Sequence, residues 1–348
     1  MKILWFTNTS SLYDNNNNNN SYNGGGWIES IEKIIRTRTD VNLGISFFHT
    51  DKCFKSKVGQ TTYYPIPVNN SKLQKAKRFV LLNNDKKELG YFLRVINDFK
   101  PDLIHVFGSE QSFGLLSKHT KIPLIIHLQG ILNPILNAYY APGSSSFDII
   151  KQNILKPLKL VLAFNGMKKF EYNIDRESVI LSNCNFFIGR TEWDKNISNL
   201  YAPSSNYYYG SEVLRDSFYK AEPWQIKERP KLKIISTISK SPYKGFDLIL
   251  KTAKLLTVFS GIDFEWNVYG ITEYNFWENK LGINCSDVKI NLNGVVDSNS
   301  LITSIQESDI FVHPSYIDNS PNSVCEAQII GIPVIAANVG GLSTLIKN

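Results

Sequence analysis

One stretch of this sequence, DIFVHPSYIDNSPNSVCEAQIIGIPVIAANVGG from Asp309 to Gly341, leaves little freedom in how the chain can fold. Asp309 to His313 is a short apolar run of the kind that forms a strand buried on both faces, and Pro333 to Ala336 is another. Between them the spacing predicts a helix with Ser320 as N-cap, Pro321 at the first helical position and Gly331 where a C-cap favours glycine. A strand, helix and strand joined this closely form a parallel unit, so the helix N-terminus opens at the carboxyl end of the first strand. Its free N–H groups and dipole favour a phosphate there. Asp318 stands in the loop before the helix, and Glu326 lies about one and a half turns into it. Gly340 and Gly341 follow the second strand and open a further helix beside the same place.

The same alternation recurs along the chain. Lys2 to Thr7, Val41 to Phe48, Asp102 to Phe107, Ile122 to Leu128 and Asn185 to Gly189 read as strands, with Thr61 to Pro67 a short extended segment. Helical spacing covers Trp27 to Ile35 and Leu89 to Phe99, and Ile149 to Phe170 reads as a helix pair broken at Pro157 or as a segment lying on a membrane surface. The polar AEPWQIKERP, Ala221 to Pro230, carries two prolines and reads as a linker. Beyond it come strands at Leu232 to Ile238, Phe264 to Tyr269 and Val288 to Leu292, and helices at Phe246 to Phe259 and Ser300 to Gln306. Such a series predicts an α/β protein. With 348 residues it is too long for one ordinary core, so the expected organisation is a domain over 1–222, a linker over 223–230 and a second domain over 231–348. Asn15 to Asn20 is a homopolymeric insertion with no packing of its own.

A hydrophobic content of 43% with 20% charged residues describes a soluble globular chain. No apolar run approaches a membrane span, and the first residues read as a strand without the features of a signal peptide, so a cytosolic protein is expected. Cys53, Cys184, Cys285 and Cys325 have no metal-like spacing and are expected as reduced thiols. The net charge of +7 is unevenly placed: residues 1–220 hold 27 Lys and Arg against 18 Asp and Glu, the remainder 11 against 13. Lys72, Lys75, Lys77 and Arg78 form one basic cluster. A face of this kind suits either plain solvation or contact with anionic lipid headgroups or an acidic acceptor. Nucleic acid is disfavoured, because the basic residues are spread over many elements without interleaved aromatic platforms.

Asp318 and Glu326 with seven residues between them, Glu326-Ala327, Gly331-Ile332-Pro333-Val334 and Val339-Gly340-Gly341 stand in the order found in the family 4 (group 1) glycosyltransferases, which this chain resembles. The resemblance implies the GT-B fold, two doubly wound Rossmann-like domains facing a cleft, and a retaining enzyme that takes its sugar from a nucleotide-sugar donor. On that basis Glu326 receives the donor's ribose hydroxyls, and Asp318, one methylene shorter than the usual Glu, holds hydroxyls of the transferred sugar. Lys244-Gly245 matches the Lys-Gly that grips the diphosphate. Ser239 takes the place of the usual Arg, with Lys240 beside it, and Asn319 and Ser320 lie at the helix start. Gly25 and Gly26 fall in the loop that closes over the cleft. Gln129-Gly130 takes the position of a His-Gly pair, and His127 lies two residues earlier; either side chain reaches the sugar, or His127 is a buried structural histidine. Arg190, at the end of another strand, serves a phosphate or braces the interdomain surface. No metal or other cofactor is expected. The partners implied are a nucleotide-sugar donor and a glycan or lipid-linked acceptor, with peripheral membrane contact through the basic N-terminal domain, in cell-surface polysaccharide synthesis.

Members of the family continue past the helix opened by Gly340-Gly341, whereas this chain stops at Asn348, so the second domain is expected to be incomplete. The rival from another class is a non-catalytic nucleotide-sugar-binding remnant of the same fold. A dinucleotide-dependent oxidoreductase is a further alternative, but Asn23 to Gly26 lacks its Gly-x-Gly-x-x-Gly spacing.

Overall fold

A computed structural model of the chain describes residues 1–14, 26–50, 54–68, 84–153, 157–211 and 213–347. Asn15–Asn20, Gly25, Cys53 and the Lys72 to Arg78 cluster lie outside them. The chain forms two compact units, Met1–Asn133 with Ser145–Val213, and Pro134–Ser144 with Leu214–Asn348.

The first unit is built on eight strands: β1 (Lys2–Thr7), β2 (Asn42–His49), β3 (Ser56–Val58), β4 (Thr61–Pro67), β5 (Leu103–Phe107), β6 (Leu124–His127), β7 (Phe186–Gly189) and β8 (Asn206–Tyr209). Their order across the sheet is β3-β4-β2-β1-β5-β6-β7-β8, and all pairs are parallel except β3 with β4. Alternation along β1 builds two cores. Leu4 and Phe6 pack on one face with Phe92, Ile96 and Phe113, while Trp5 packs on the other with Trp27, Ile28, Phe47 and Phe107. Each of these side chains is buried, and a fully buried Phe or Ile stabilises the fold by roughly 1.5–3 kcal/mol. Because β1 pairs with β2 on one side and β5 on the other, the chain leaves β1 in one direction and returns on the opposite side, which makes the ends of β1 and β5 a topological switch point.

The second unit has five parallel strands, β9 (Leu232–Thr237), β10 (Phe264–Tyr269), β11 (Ile290–Gly294), β12 (Ile310–His313) and β13 (Val334–Ala336), in the order β11-β10-β9-β12-β13. Ile234 of β9 joins Phe246, Ile249, Phe264 and Trp266 on one face. Its neighbour Ile235 joins Phe311, Ile302, Ile305 and Val324 on the other. The switch point here lies between β9 and β12.

The second unit takes Pro134–Ser144 from within the expected first domain, and its main segment begins at Leu214, ahead of the expected linker. Phe218 is buried with Ile235, Phe311 and Val324. The polar segment after it is also tied down: the Trp224 N–H donates to the Ile330 carbonyl at 2.7 Å, its indole Nε1 to the Ser308 carbonyl at 2.7 Å, and Arg229 pairs with Asp309. Two prolines and many polar residues look like a linker, but here the backbone donor finds a partner on the helix Asn322–Ile330 and the indole donor one just before β12.

Candidate functional site

In the C-terminal unit the marked residues gather at the β9/β12 switch point. Lys244 closes a single helical turn, Pro242–Lys244, after β9, and Asp318 lies in the loop after β12. Lys244 Nζ donates to Asp318 Oδ2 at 2.6 Å, and His313 Nε2 lies 3.0 Å from the same oxygen. Asp318 Oδ1 accepts from the Asn319 N–H at 3.1 Å. Burial alone would push the Asp318 carboxyl up, but the Lys244 charge and the His313 hydrogen bond outweigh it and hold it at about 2. The result is an ionised carboxylate fixed from three sides. Asn319 and Ser320 are buried in the same loop.

Two glycines let these loops meet. Gly245 has φ +75°, and a Cβ there would lie 2.2 Å from the Pro314 carbonyl oxygen. Gly340 has φ +54°, and its Cβ would lie 2.0 Å from the carbonyl oxygen of Asp318, to which the Gly341 N–H donates at 3.1 Å. The Lys244-Gly245 and Val339-Gly340-Gly341 segments are therefore the turns that allow close backbone approach around Asp318.

The helix after this loop runs Asn322–Ile330, with Pro321 as N-cap and Gly331 in the left-handed conformation at its end. Its start is one residue later than the spacing predicts, because Pro321 stays extended (φ −68°, ψ 119°). Glu326 sits on its second turn, only 5% exposed. Both of its oxygens are engaged: Arg215 Nε donates to Oε1 and an Arg215 terminal nitrogen to Oε2, each at 2.9 Å. Burial pushes the Glu326 carboxyl up against the pull of Arg215. Both oxygens of this carboxylate, expected to receive ribose hydroxyls, thus take part in a two-pronged ion pair. Lys240 pairs instead with Glu273 at 3.3 Å on the surface, so it does not join Lys244 at Asp318.

In the N-terminal unit the marked residues stand at neighbouring strand ends. His127 closes β6 and is 4% exposed, its ring 5.0 Å from Trp27 and stacked at 5.6 Å on His105. Burial, with His105 and then Arg190 adding to it, holds its imidazole well below the ordinary histidine range, so the ring is neutral. Gln129, two residues on and partly exposed, accepts from Asn8 Nδ2 at 3.2 Å. The structure thus separates two side chains that strand alternation places together, His127 in an aromatic stack and Gln129 in the loop beyond β6. The Arg190 N–H donates to Asp194 Oδ2 at 3.2 Å just after β7. Gly26 opens the helix Gly26–Ile35.

Two carboxylates hold the Gln129 loop from behind. Glu177, 1% exposed, accepts from Ser109 Oγ at 2.6 Å and from the Leu132 N–H at 2.7 Å. Burial pushes its carboxyl up to about 7, and Glu110 is raised as well, by burial and then by the charge of Glu177.

Residues 229–348 match the family model of the group 1 glycosyl transferases. This segment is a group 1 glycosyltransferase domain. The fold around it is that of the GT-B glycosyltransferases. Sucrose-phosphate synthase of Thermosynechococcus elongatus superposes with a TM-score of 0.67 at 12% identity, covering 98% of this chain and 82% of its own. HepE of Anabaena in complex with UDP and glucose gives 0.61 at 14%, covering 100% and 83%. The lipopolysaccharide outer core galactosyltransferase WaaB gives 0.58 at 14%, covering 100% and 84%. No curated protein matches the chain in sequence.

Within the C-terminal unit, sequence reasoning missed His313 and Arg215. His313 carried a usable signal, a histidine closing an otherwise apolar strand five residues before Asp318. Arg215 carried none, standing 111 positions from Glu326 in a stretch assigned to the other domain.

Proposed function

We propose that this protein is a retaining glycosyltransferase that moves a sugar from a nucleotide-sugar donor to a glycan or lipid-linked acceptor in cell-surface polysaccharide synthesis. The observation that carries the reading is the Lys244–Asp318 contact at the β9/β12 switch point, beside the start of the helix Asn322–Ile330. Open parallel sheets bind ligands at such points. The donor diphosphate lies at that helix start, where the helix dipole and Lys244 neutralise the charge gathering on it as it departs. Asp318, already ionised and oriented, accepts hydroxyls of the transferred sugar. Glu326 accepts the ribose hydroxyls, with Arg215 keeping its carboxylate in place. Gln129, His127, Arg190 and Gly26 serve the acceptor side from the N-terminal unit. The bond from the anomeric carbon to the diphosphate oxygen breaks and one to the acceptor oxygen forms, the acceptor's proton leaving with the diphosphate. No metal or other cofactor enters this scheme.

HepE was solved with UDP and glucose, so UDP-sugars are the first donors to test. Thermal stabilisation and donor hydrolysis, measured over a panel of UDP-, GDP- and ADP-sugars, test the reading. One donor that raises the melting temperature and is turned over supports it. Binding without turnover supports the non-catalytic remnant. No response to any sugar nucleotide overturns both.

A further inference from the structure

Asp247 has no exposed surface, and it shares the helix Phe246–Leu255 with Phe246, Ile249, Leu250 and Ala253, the side chains this helix gives to the core. An apolar residue would fill such a position at no electrostatic cost, whereas a carboxylate there has to be held by hydrogen bonds. One oxygen, Oδ2, takes them. Lys251 Nζ, one turn along the same helix, donates to it at 2.8 Å, and the Tyr316 hydroxyl donates to it at 2.8 Å. The Lys251 bond stays within the helix, and that side chain is 41% exposed. The Tyr316 bond spans 69 positions and reaches the loop that carries Asp318.

Tyr316 ties that loop to the Lys244 turn on both sides. Its N–H donates to the Tyr243 carbonyl at 2.8 Å, while its hydroxyl reaches Asp247. Tyr243 and Asp247 flank Lys244-Gly245 in the chain, and Tyr316 stands two residues before Asp318. The two anchors therefore bracket the contact at the centre of the site, Lys244 Nζ to Asp318 Oδ2 at 2.6 Å. The Tyr316 ring also packs on the core cluster that holds Phe246 and Ile249. A hydrogen bond to a carboxylate is stronger and more directional than one to a neutral acceptor, so the buried end of a core helix sets where the loop lies.

We propose that Asp247 is a positioning residue, which acts through Tyr316 to hold Asp318 against Lys244. The geometric part stands on this network alone, and its catalytic consequence rests on the transferase reading. The test reads Lys244 at neutral pH. The full chain is trace-labelled with acetic anhydride, and acetylation of each lysine is measured by peptide mass spectrometry, with the exposed Lys254 as internal reference. In the parent, Lys244 reacts roughly tenfold or more slowly than Lys254, because its amine is bonded to Asp318 and its side chain is only 21% exposed. Tyr316→Phe and Asp247→Leu raise the Lys244 rate roughly tenfold against that reference, toward its value in Asp318→Asn. Asp247→Asn, which keeps an acceptor for the Tyr316 hydroxyl, leaves the rate near the parent's, and so does Lys251→Met, whose bond does not reach the loop. Where the parent turns over a donor, Tyr316→Phe lowers kcat roughly tenfold or more and leaves KM within about threefold, since the contact it loosens acts on the departing diphosphate. Should Asp247→Leu fail to fold, Tyr316→Phe, which keeps the ring, carries the test. A Lys244 rate unchanged by Tyr316→Phe overturns the proposal even if that variant melts lower, and so does a rate that rises in Asp247→Leu alone, since Asp247 then does not act through Tyr316. A released Lys244 with unchanged kcat overturns the catalytic consequence. Release of Lys244 in the variants of a parent that turns over no donor supports the positioning role and counts against the transferase reading alone.

Discussion

Arg215 and Glu326, 111 positions apart, meet in a two-pronged ion pair with both contacts at 2.9 Å, and each is largely shielded from solvent, 15% and 7% exposed at the side chain. Removing one partner leaves the other charge buried and unpaired, which costs far more than the net value of the pair. Arg215→Ala is expected to destabilise the C-terminal unit by about 3–5 kcal/mol in urea denaturation, and Arg215→Met with Glu326→Leu to recover most of that. If the single variant unfolds at the parent's urea midpoint, the pair is not structural.

Asp318 predicts an acid limb. Its carboxyl is held at about 2 in the folded protein against 3.8 when unconstrained, so its stabilisation is fully present above pH 3.8 and is lost as pH falls through about 2. The loss amounts to roughly 2 kcal/mol, since each tenfold change in proton affinity is worth about 1.4 kcal/mol. Chemical denaturation followed from about pH 5 down to about pH 2 checks it. The parent loses stability toward the acid end more steeply than Asp318→Asn, which has no carboxyl to protonate.

Glu177 predicts the opposite slope near neutrality. Its carboxyl is raised from 4.5 to about 7, so the stability tied to its protonated form is present below 4.5 and is lost as pH rises through about 7. Glu177→Gln keeps one acceptor for the Leu132 N–H and gains a donor for Ser109 Oγ. It is expected to flatten this dependence, an effect on the order of 3 kcal/mol, as read from melting temperatures across that range. A parent slope unchanged by the substitution assigns the dependence to other groups.

Gly340 predicts a coupling between turn geometry and ligand binding. Gly340→Ala places a methyl 2.0 Å from the Asp318 carbonyl oxygen at φ +54°, so the Asp318 loop must move. The expected cost is about 1–3 kcal/mol of stability, with weaker binding of whichever sugar nucleotide the parent binds. Gly282→Ala is the control: it shares the positive φ, +62°, but has no atom within 4 Å to collide with, so it strains the backbone and leaves the Asp318 loop alone.

Local signals in the sequence determined the α/β class, nearly every strand, and the loops that carry Lys244 and Asp318. A buried parallel strand is an apolar run, and the glycines that permit close backbone approach mark its ends; both are written within a few residues. Strand β8, rich in tyrosine and lying at the sheet edge, and the short β3 escaped notice because neither is an apolar run. What only the tertiary structure decided is which charges meet. Lys244 pairs with Asp318 while Lys240, four residues away, turns to Glu273, and Arg215 reaches across from a segment that reads as the other domain. An ion pair forms where folding brings two side chains within a few ångströms in a desolvated place, and no period or spacing along the chain encodes that distance.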